Sequence, residues 1–352
     1  MAAPFRVAVY DVALKRAGPG LLLRDIRKGD DPQVMAAARI IARINPDILL
    51  LTGFDTDYGG ATLDGFAALL AKLGRPYPHR FTDPGNAGLA SGFDLDGDGR
   101  RGGPGDAQGF GAFPGAGGMA LLSRFPIDRE GMVDLSALLW RDLPGARLPR
   151  RGGRPFPSER AQAVQRLSSR GHWVLPVALP DGRVLRLLAS HPTPPVFDGL
   201  EDRNGLRNRD ELRLWSLYLN GELSGYAAPA GPLVLLGGLN ADPFDGEGAQ
   251  AAIRALLGHP RLQDPAPASP GAAAAQGGAN GAQKGPARLD TADWEDMGGP
   301  GNLRVDYVLP SSGLNIVASG VFWPAPGTPG AELLARADEA GLRHRLVWVD
   351  LE

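Results

Sequence analysis

The chain contains no cysteine, which excludes disulfides, thiolate metal sites and a cysteine nucleophile together. An excess of charge of one sign is also missing: 37 Lys and Arg stand against 39 Asp and Glu, a net −2 over 352 residues. No global field therefore grips nucleic acid or an acidic membrane, and any such grip has to be a local patch. No run reaches the roughly 18 uninterrupted apolar residues of a membrane span, so a soluble chain is expected. The opening Met1-Ala2-Ala3-Pro4 has neither the charged nor the apolar region of a signal peptide. That implies a cytoplasmic protein, or a periplasmic or secreted one if a signal has been removed. Lysine is scarce: Lys15, Lys28, Lys72 and Lys284 are the only four, leaving 33 arginines. Arginine's planar fork suits oxyanions, although GC-rich coding is the simpler source of the bias.

What is present describes a folded, loop-rich protein, with 43% hydrophobic residues beside 50 glycines and 32 prolines. Aliphatic and β-branched runs bounded by turn residues predict strands at Phe5–Tyr10, Ile48–Leu51, Met119–Leu122, Val184–Ala189, Leu233–Leu236, Val305–Leu309 and Leu346–Val349. Most are continuously apolar, as strands buried on both faces are. Asp31 as N-cap, Pro32 at the first helical position and Asn45-Pro46 as the stop delimit a helix. A second begins near Asn208 and carries Leu212, Trp215 and Leu219 at helical spacing. Buried strands with covering helices mean layers of α and β.

Two stretches differ in composition. Residues 265–288 are Ala, Gly and Pro with almost no charge, and predict a mobile surface insertion within one domain spanning 1–352. Residues 141–170 hold eight arginines against Asp142 and Glu159, which reads either as a solvated loop or as an anion-gripping wall. Gly97-Asp98-Gly99-Arg100-Arg101-Gly102 fits a dinucleotide pattern in form only, since no strand precedes it and no helix follows. The same stretch, with Asp94, Asp96 and Asp98 at alternate positions and Asp106 available to close it, resembles half of a calcium loop. An Asx-rich turn that caps itself is the other reading.

Polar groups cluster at strand ends, where sheet scaffolds carry their chemistry. Asp11 follows the first strand, His191-Pro192-Thr193 the fourth and Gly238-Leu239-Asn240 the fifth. Asp306 lies in the sixth, and His344 precedes the last. With the segments Ser91–Asp96, Gly109–Pro114, His191–Gly199, Glu201–Gly205 and Arg304–Pro310, the chain resembles the endonuclease/exonuclease/phosphatase superfamily, and within it a bacterial branch. The resemblance runs from Phe5 to the C-terminus. It implies a four-layer αββα sandwich of two packed mixed sheets, and hydrolysis of phosphate esters with Mg²⁺ or Mn²⁺ polarising the phosphoryl oxygen. His191, Asn240, Asp306 and His344 match the family's catalytic positions, Asp306 fixing the imidazole tautomer.

Four positions depart from the pattern. Asp11 stands where the family has Asn, Gly53 and Gly238 replace metal-binding Glu and Asp, and Arg343 replaces the Asp before His344. Three readings follow. In one, hydrolysis has lapsed and a pocket of His191, His344, Arg343, Arg166 and Arg170 binds a phosphate-bearing small molecule or another anion. In another, Asp11, Asp55 or Asp242 rebuilds a metal site and phosphoesterase activity persists. In the third, the chain is a non-catalytic structural or partner-binding module whose calcium-like loop and basic segment make the contact. Independently, Asp94, Asp96, Asp98 and Asp106 are a candidate site for a structural Ca²⁺. Nucleic-acid binding would rest on residues 141–170, because no aromatic-interleaved basic stripe exists. A monomer is expected.

Overall fold

The structure, a computed structural model, describes residues 4–352; Met1, Ala2 and Ala3, on which the reading of the N-terminus rests, lie outside them. Two mixed sheets pack face to face. The first contains β1 (Phe5–Leu14), β2 (Ile48–Phe54), β3 (His79–Asp83), β4 (Gly118–Ser123), β10 (Ile316–Val321) and β11 (Val347–Leu351), in the order β10-β11-β1-β2-β4-β3. The second contains β5 (Val133–Asp134), β6 (His172–Ala178), β7 (Val184–Ser190), β8 (Leu233–Gly238) and β9 (Asp306–Pro310), in the order β9-β8-β7-β6-β5. Helices α1 (Leu21–Lys28), α2 (Pro32–Ile44), α3 (Ala61–Lys72) and α6 (Ala331–Glu339) cover the first sheet. Helices α4 (Arg203–Asn220) and α5 (Gln250–Leu257) cover the second.

Strand periodicity explains the continuous apolar runs. Val7, Val9, Ile48 and Leu50 point between the sheets against Trp173, Leu175, Leu187 and Val234. Their neighbours Ala8, Tyr10, Leu49 and Leu51 point outward under Val34, Ile41, Leu63 and Phe66. Both faces are buried, so both sets are apolar. On the far side, Leu188 and Leu235 meet Leu212, Trp215 and Ile253, completing four layers.

Helix α2 starts and stops as its sequence predicts. Asp31 accepts a hydrogen bond from the Val34 N–H (2.9 Å), and Asn45 closes the helix at φ 58°. The segment 265–288 differs from expectation. Ser269 caps a short helix, Pro270–Ala274, whose Gly271 and Ala272 are buried against Trp323. Its small side chains permit that approach: a Cβ on Gly271 would overlap Trp323.

Topology explains why distant residues meet. β1 and β2 are parallel, as are β7 and β8, so their carboxyl ends share one edge of the sandwich. β9 is antiparallel to β8 and β11 to β1, so each begins at that edge. Ligands of open α/β sheets commonly sit there.

Candidate functional site

Asp11, Gly53, His191, Gly238, Asn240, Asp306 and His344 all sit at this edge. β1 runs past Tyr10 through an irregular register, which places Asp11 inside the strand, opposite Thr52. Its carboxylate is buried and accepts bonds from the Ala13 N–H (3.0 Å) and the Thr52 hydroxyl (3.1 Å). Burial opposes its ionisation, but His344, His191 and Lys15 outweigh that and hold the carboxyl well below the usual range.

His191 Nε2 lies 3.5 Å from Asp11 Oδ2, and its Nδ1 is 3.0 Å from the Gly238 carbonyl. A carbonyl only accepts, so Nδ1 carries the proton. Burial pushes this imidazole down to about 3, against the pull of Asp11. His344 differs. Burial lowers its pKa, but Asp306 and Asp11 prevail and raise it to about 8. Its Nδ1 is 2.8 Å from Asp306 Oδ2, which also accepts from the Thr291 hydroxyl (3.0 Å). Trp294 packs edge-on against the ring. Asp306 Oδ1 is fully buried and has no hydrogen-bond partner among the described residues, and burial raises that carboxyl's pKa. The Asn240 amide donates to the Pro192 carbonyl (2.8 Å), tying the turn after β8 to the turn after β7.

The positions where the resemblance leads one to expect carboxylates, Gly53 and Gly238, hold no ready-made space for them. Gly53 has φ +63°, and a Cβ there would overlap Asp11 Oδ1, lying 3.1 Å from its Cγ and 3.2 Å from the Ala13 nitrogen. A Cβ on Gly238 would sit 3.0 Å from His191 Nδ1 and 3.1 Å from Asp306 Oδ1.

Several expected site residues are occupied elsewhere. Asp55 accepts from the Gly117 and Arg16 N–H groups, each at 2.7 Å. Asp242 accepts from those of Phe244, Asp245 and Arg304. Both carboxylates brace loops through these bonds. Arg166 donates to Asn86 Oδ1 (2.8 Å). Arg343 is exposed beside Asp338 of α6. Arg170 stays near the site: it donates to the Phe110 carbonyl, and burial lowers its pKa against Glu211, Asp11 and Asp55.

In the acidic loop, Asp94, Asp96 and Asp106 bring one oxygen each within 4.8 Å of one another. They are the only such group among the described residues, and Asp98 stands outside it. Backbone N–H groups already cap these side chains: Gly97 and Gly99 donate to Asp94, Asp98 to Asp96, and Leu95 and Gly103 to Asp106.

Three residues escaped the sequence reading. Lys15 is exposed, forms no ion pair among the described residues, and its charge reaches Asp11, His191 and His344. Thr291 positions Asp306. Glu211, fully buried in α4, accepts from the Ser169 N–H (2.7 Å), the Ser169 hydroxyl (2.9 Å) and the Thr193 N–H (2.7 Å), and so holds the turn beside His191. Its signal was a polar run, Arg207 to Glu211, with four charges around Asn208, where an amphipathic helix would be half apolar.

A two-sheet αββα sandwich with a His–carboxylate pair at one edge defines the phosphoesterase-type α/β sandwich. The chain belongs to the Endonuclease/Exonuclease/phosphatase family, whose model matches residues 26–328. A family structure from Beutenbergia cavernae is 18% identical, with TM-score 0.56, covering 100% of this chain and 72% of that one. Sphingomyelinase C from Streptomyces griseocarneus is 17% identical, with TM-score 0.50 and 99% of each chain covered. The human Nocturnin catalytic domain is 16% identical, with TM-score 0.50, covering 99% of this chain and 93% of that one. No curated protein matches the sequence. Among the described residues, no helix is long and apolar enough to cross a membrane.

Proposed function

We propose that the chain is a diverged member of this phosphoesterase family whose metal-dependent hydrolysis is strongly reduced or lost, and whose pocket binds a phosphate ester or another anion. The carrying observation is the exchange at β1 and β2, where Asp11 fills the space in which a side chain at position 53 would begin. A hard divalent cation needs several charged oxygens. The pocket offers Asp11, already accepting two hydrogen bonds, with glycine at 53 and 238. These residues do not fit a catalytic Mg²⁺ or Mn²⁺. Cationic His344, Lys15 and Arg170 instead supply the kind of donors that phosphate oxygens accept. His191, neutral with Nδ1 engaged, presents Nε2 as an acceptor, and Asn240 shapes the adjoining turn.

A second reading keeps catalysis. It rests on ionised Asp11 and on Asp306 Oδ1, a buried oxygen lacking a partner. Assays with Mg²⁺ or Mn²⁺ on p-nitrophenyl phosphate, bis-p-nitrophenyl phosphate and plasmid DNA separate the two. No turnover is expected, while calorimetry should detect phosphate binding that Lys15→Ala weakens about tenfold, the scale of a charged hydrogen bond. EDTA-sensitive turnover abolished by Asp11→Ala would establish the second reading instead. The acidic loop is assigned a structural Ca²⁺ at Asp94, Asp96 and Asp106. EDTA should then lower the melting temperature, and an unchanged melt leaves a self-capped turn. Any contact with nucleic acid falls to the exposed arginines of 141–160, and the protein acts as a monomer.

A further inference from the structure

Loops on one side of the site carry apolar side chains that nothing covers. Phe197 is 90% exposed and Leu200 99%, in the turn that follows His191. Phe244, after Asn240, and Met297, beyond Trp294, are exposed as well. Their loops adjoin: Gly248 lies against Pro195, Gly285 against Phe244, and the Asn280 amide donates to Asp296 (2.9 Å). The Phe197 loop is also pinned. The Asn204 side chain donates to the Val196 carbonyl (2.7 Å), the Asn204 N–H to Asp198, and the Gly199 N–H to Glu201 (3.2 Å). Phe197 itself is held at φ 67°, a left-handed backbone unfavourable to a bulky residue. A fixed loop thus holds an aromatic ring in water, where folding gains nothing from it.

The charge of this shoulder is one-sided. Asp198, Glu201, Asp202, Glu247, Glu295 and Asp296 form no ion pair among the described residues. Within segments 196–202, 243–248, 278–285 and 294–301, Lys284 is the only basic residue. Burial and the neighbouring carboxylates of Asp198 and Glu247 push the Asp202 carboxyl up, so the cluster repels itself until a cation arrives.

We propose that this acidic and apolar shoulder docks a basic polypeptide segment with apolar side chains between its arginines or lysines. Such a segment satisfies both halves of the surface: its cations meet the unpaired carboxylates, and its apolar side chains cover Phe197 and Leu200. Nucleic acid and anionic bilayers are repelled by the same carboxylates. A second copy of this chain, offering its own arginine-rich segment 141–170, would make a head-to-tail contact that has no reason to close.

The test titrates the full chain with a short Arg/Leu peptide, its Glu/Leu counterpart, and phosphatidylglycerol and phosphatidylcholine vesicles. Only the Arg/Leu peptide is expected to bind. Leu200→Ser with Phe197→Ser, and separately Asp198→Asn with Glu247→Gln, should each weaken it about tenfold, as loss of anchor residues does. Melting temperature reports folding, and Leu200→Ser alone, at a side chain that is wholly exposed, serves if the double variant melts early. Equal binding by all variants would reduce the effect to general charge attraction and overturn the proposal. So would absence of peptide binding, vesicle binding lost in the Phe197 variant, or self-association abolished by these substitutions. The Arg/Leu peptide carries no phosphate, so its binding is read apart from the pocket, and vesicle binding that survives the Phe197 variant is read on the pocket alone.

Discussion

Placing a side chain at Gly53 should destabilise the protein, and shortening Asp11 should partly rescue it. Two effects add in Gly53→Ala. The left-handed backbone at φ +63° disfavours an L side chain by roughly 1–2 kcal/mol, and the overlap with Asp11 forces shifts of the overpacking kind, about 1–3 kcal/mol. The sum is on the order of 3 kcal/mol, or a melting temperature lower by roughly 6–12 °C at the sensitivity of domains somewhat smaller than this one. Gly53→Glu adds a second carboxylate beside buried Asp11 and should cost more. Asp11→Ala clears the overlap but leaves the backbone term. A double-mutant cycle of Gly53→Ala with Asp11→Ala, followed by urea unfolding, should therefore give a favourable coupling of about 1 kcal/mol or more. Strict additivity would show that the two positions do not compete for the same space. The consequence for catalysis is direct. Introduced together, Gly53→Glu, Gly238→Asp and Arg343→Asp are expected to give no Mg²⁺-dependent turnover while Asp11 keeps its present place, since Gly238→Asp also sets a carboxylate against Asp306. EDTA-sensitive turnover by the triple variant would refute this.

Stability should peak near pH 6.5. His344 is raised to about 8, so its contribution, about 2 kcal/mol for a side chain only 12% exposed, is complete below the unfolded value of about 6.5 and is lost as pH rises through 8. Buried His191 and His172 are lowered to about 3 and about 4, so their contributions are complete above 6.5 and fade as pH falls toward those values. A melting temperature that climbs steadily from pH 6.5 to 9 would contradict the His344–Asp306 pairing. Glu211→Ala should cost roughly 3–5 kcal/mol in urea unfolding, because it strands the buried Ser169 N–H and the half-buried Thr193 N–H and leaves Arg207 without its nearby anion. A loss under 1 kcal/mol would mean that the turn beginning at His191 holds itself.

The sequence by itself determined the layers. Runs such as Ile48–Leu51 are apolar at every position, and only a strand buried on both faces has a use for that. Helix α2 was legible down to its cap because Asp31, Pro32 and Asn45 act on backbone within a few residues of themselves. The segments around His191 and Asp306 carried the family, and with it the edge where the site residues meet. Tertiary structure decided matters that depend on residues far apart in the chain. Asp11 and Gly53 are separated by two helices, and only the pairing of β1 with β2 places the carboxylate where a side chain at 53 would start. Asp55 and Asp242 look like free acids in the sequence and become loop braces once distant N–H groups point at them. Residues 265–288 have the composition of a mobile loop, yet glycine and alanine are also what lets a backbone lie on Trp323. His191 and His344 are the same amino acid in the sequence. One is driven neutral by burial and the other is kept charged by Asp306, a difference set by packed neighbours that no local pattern contains.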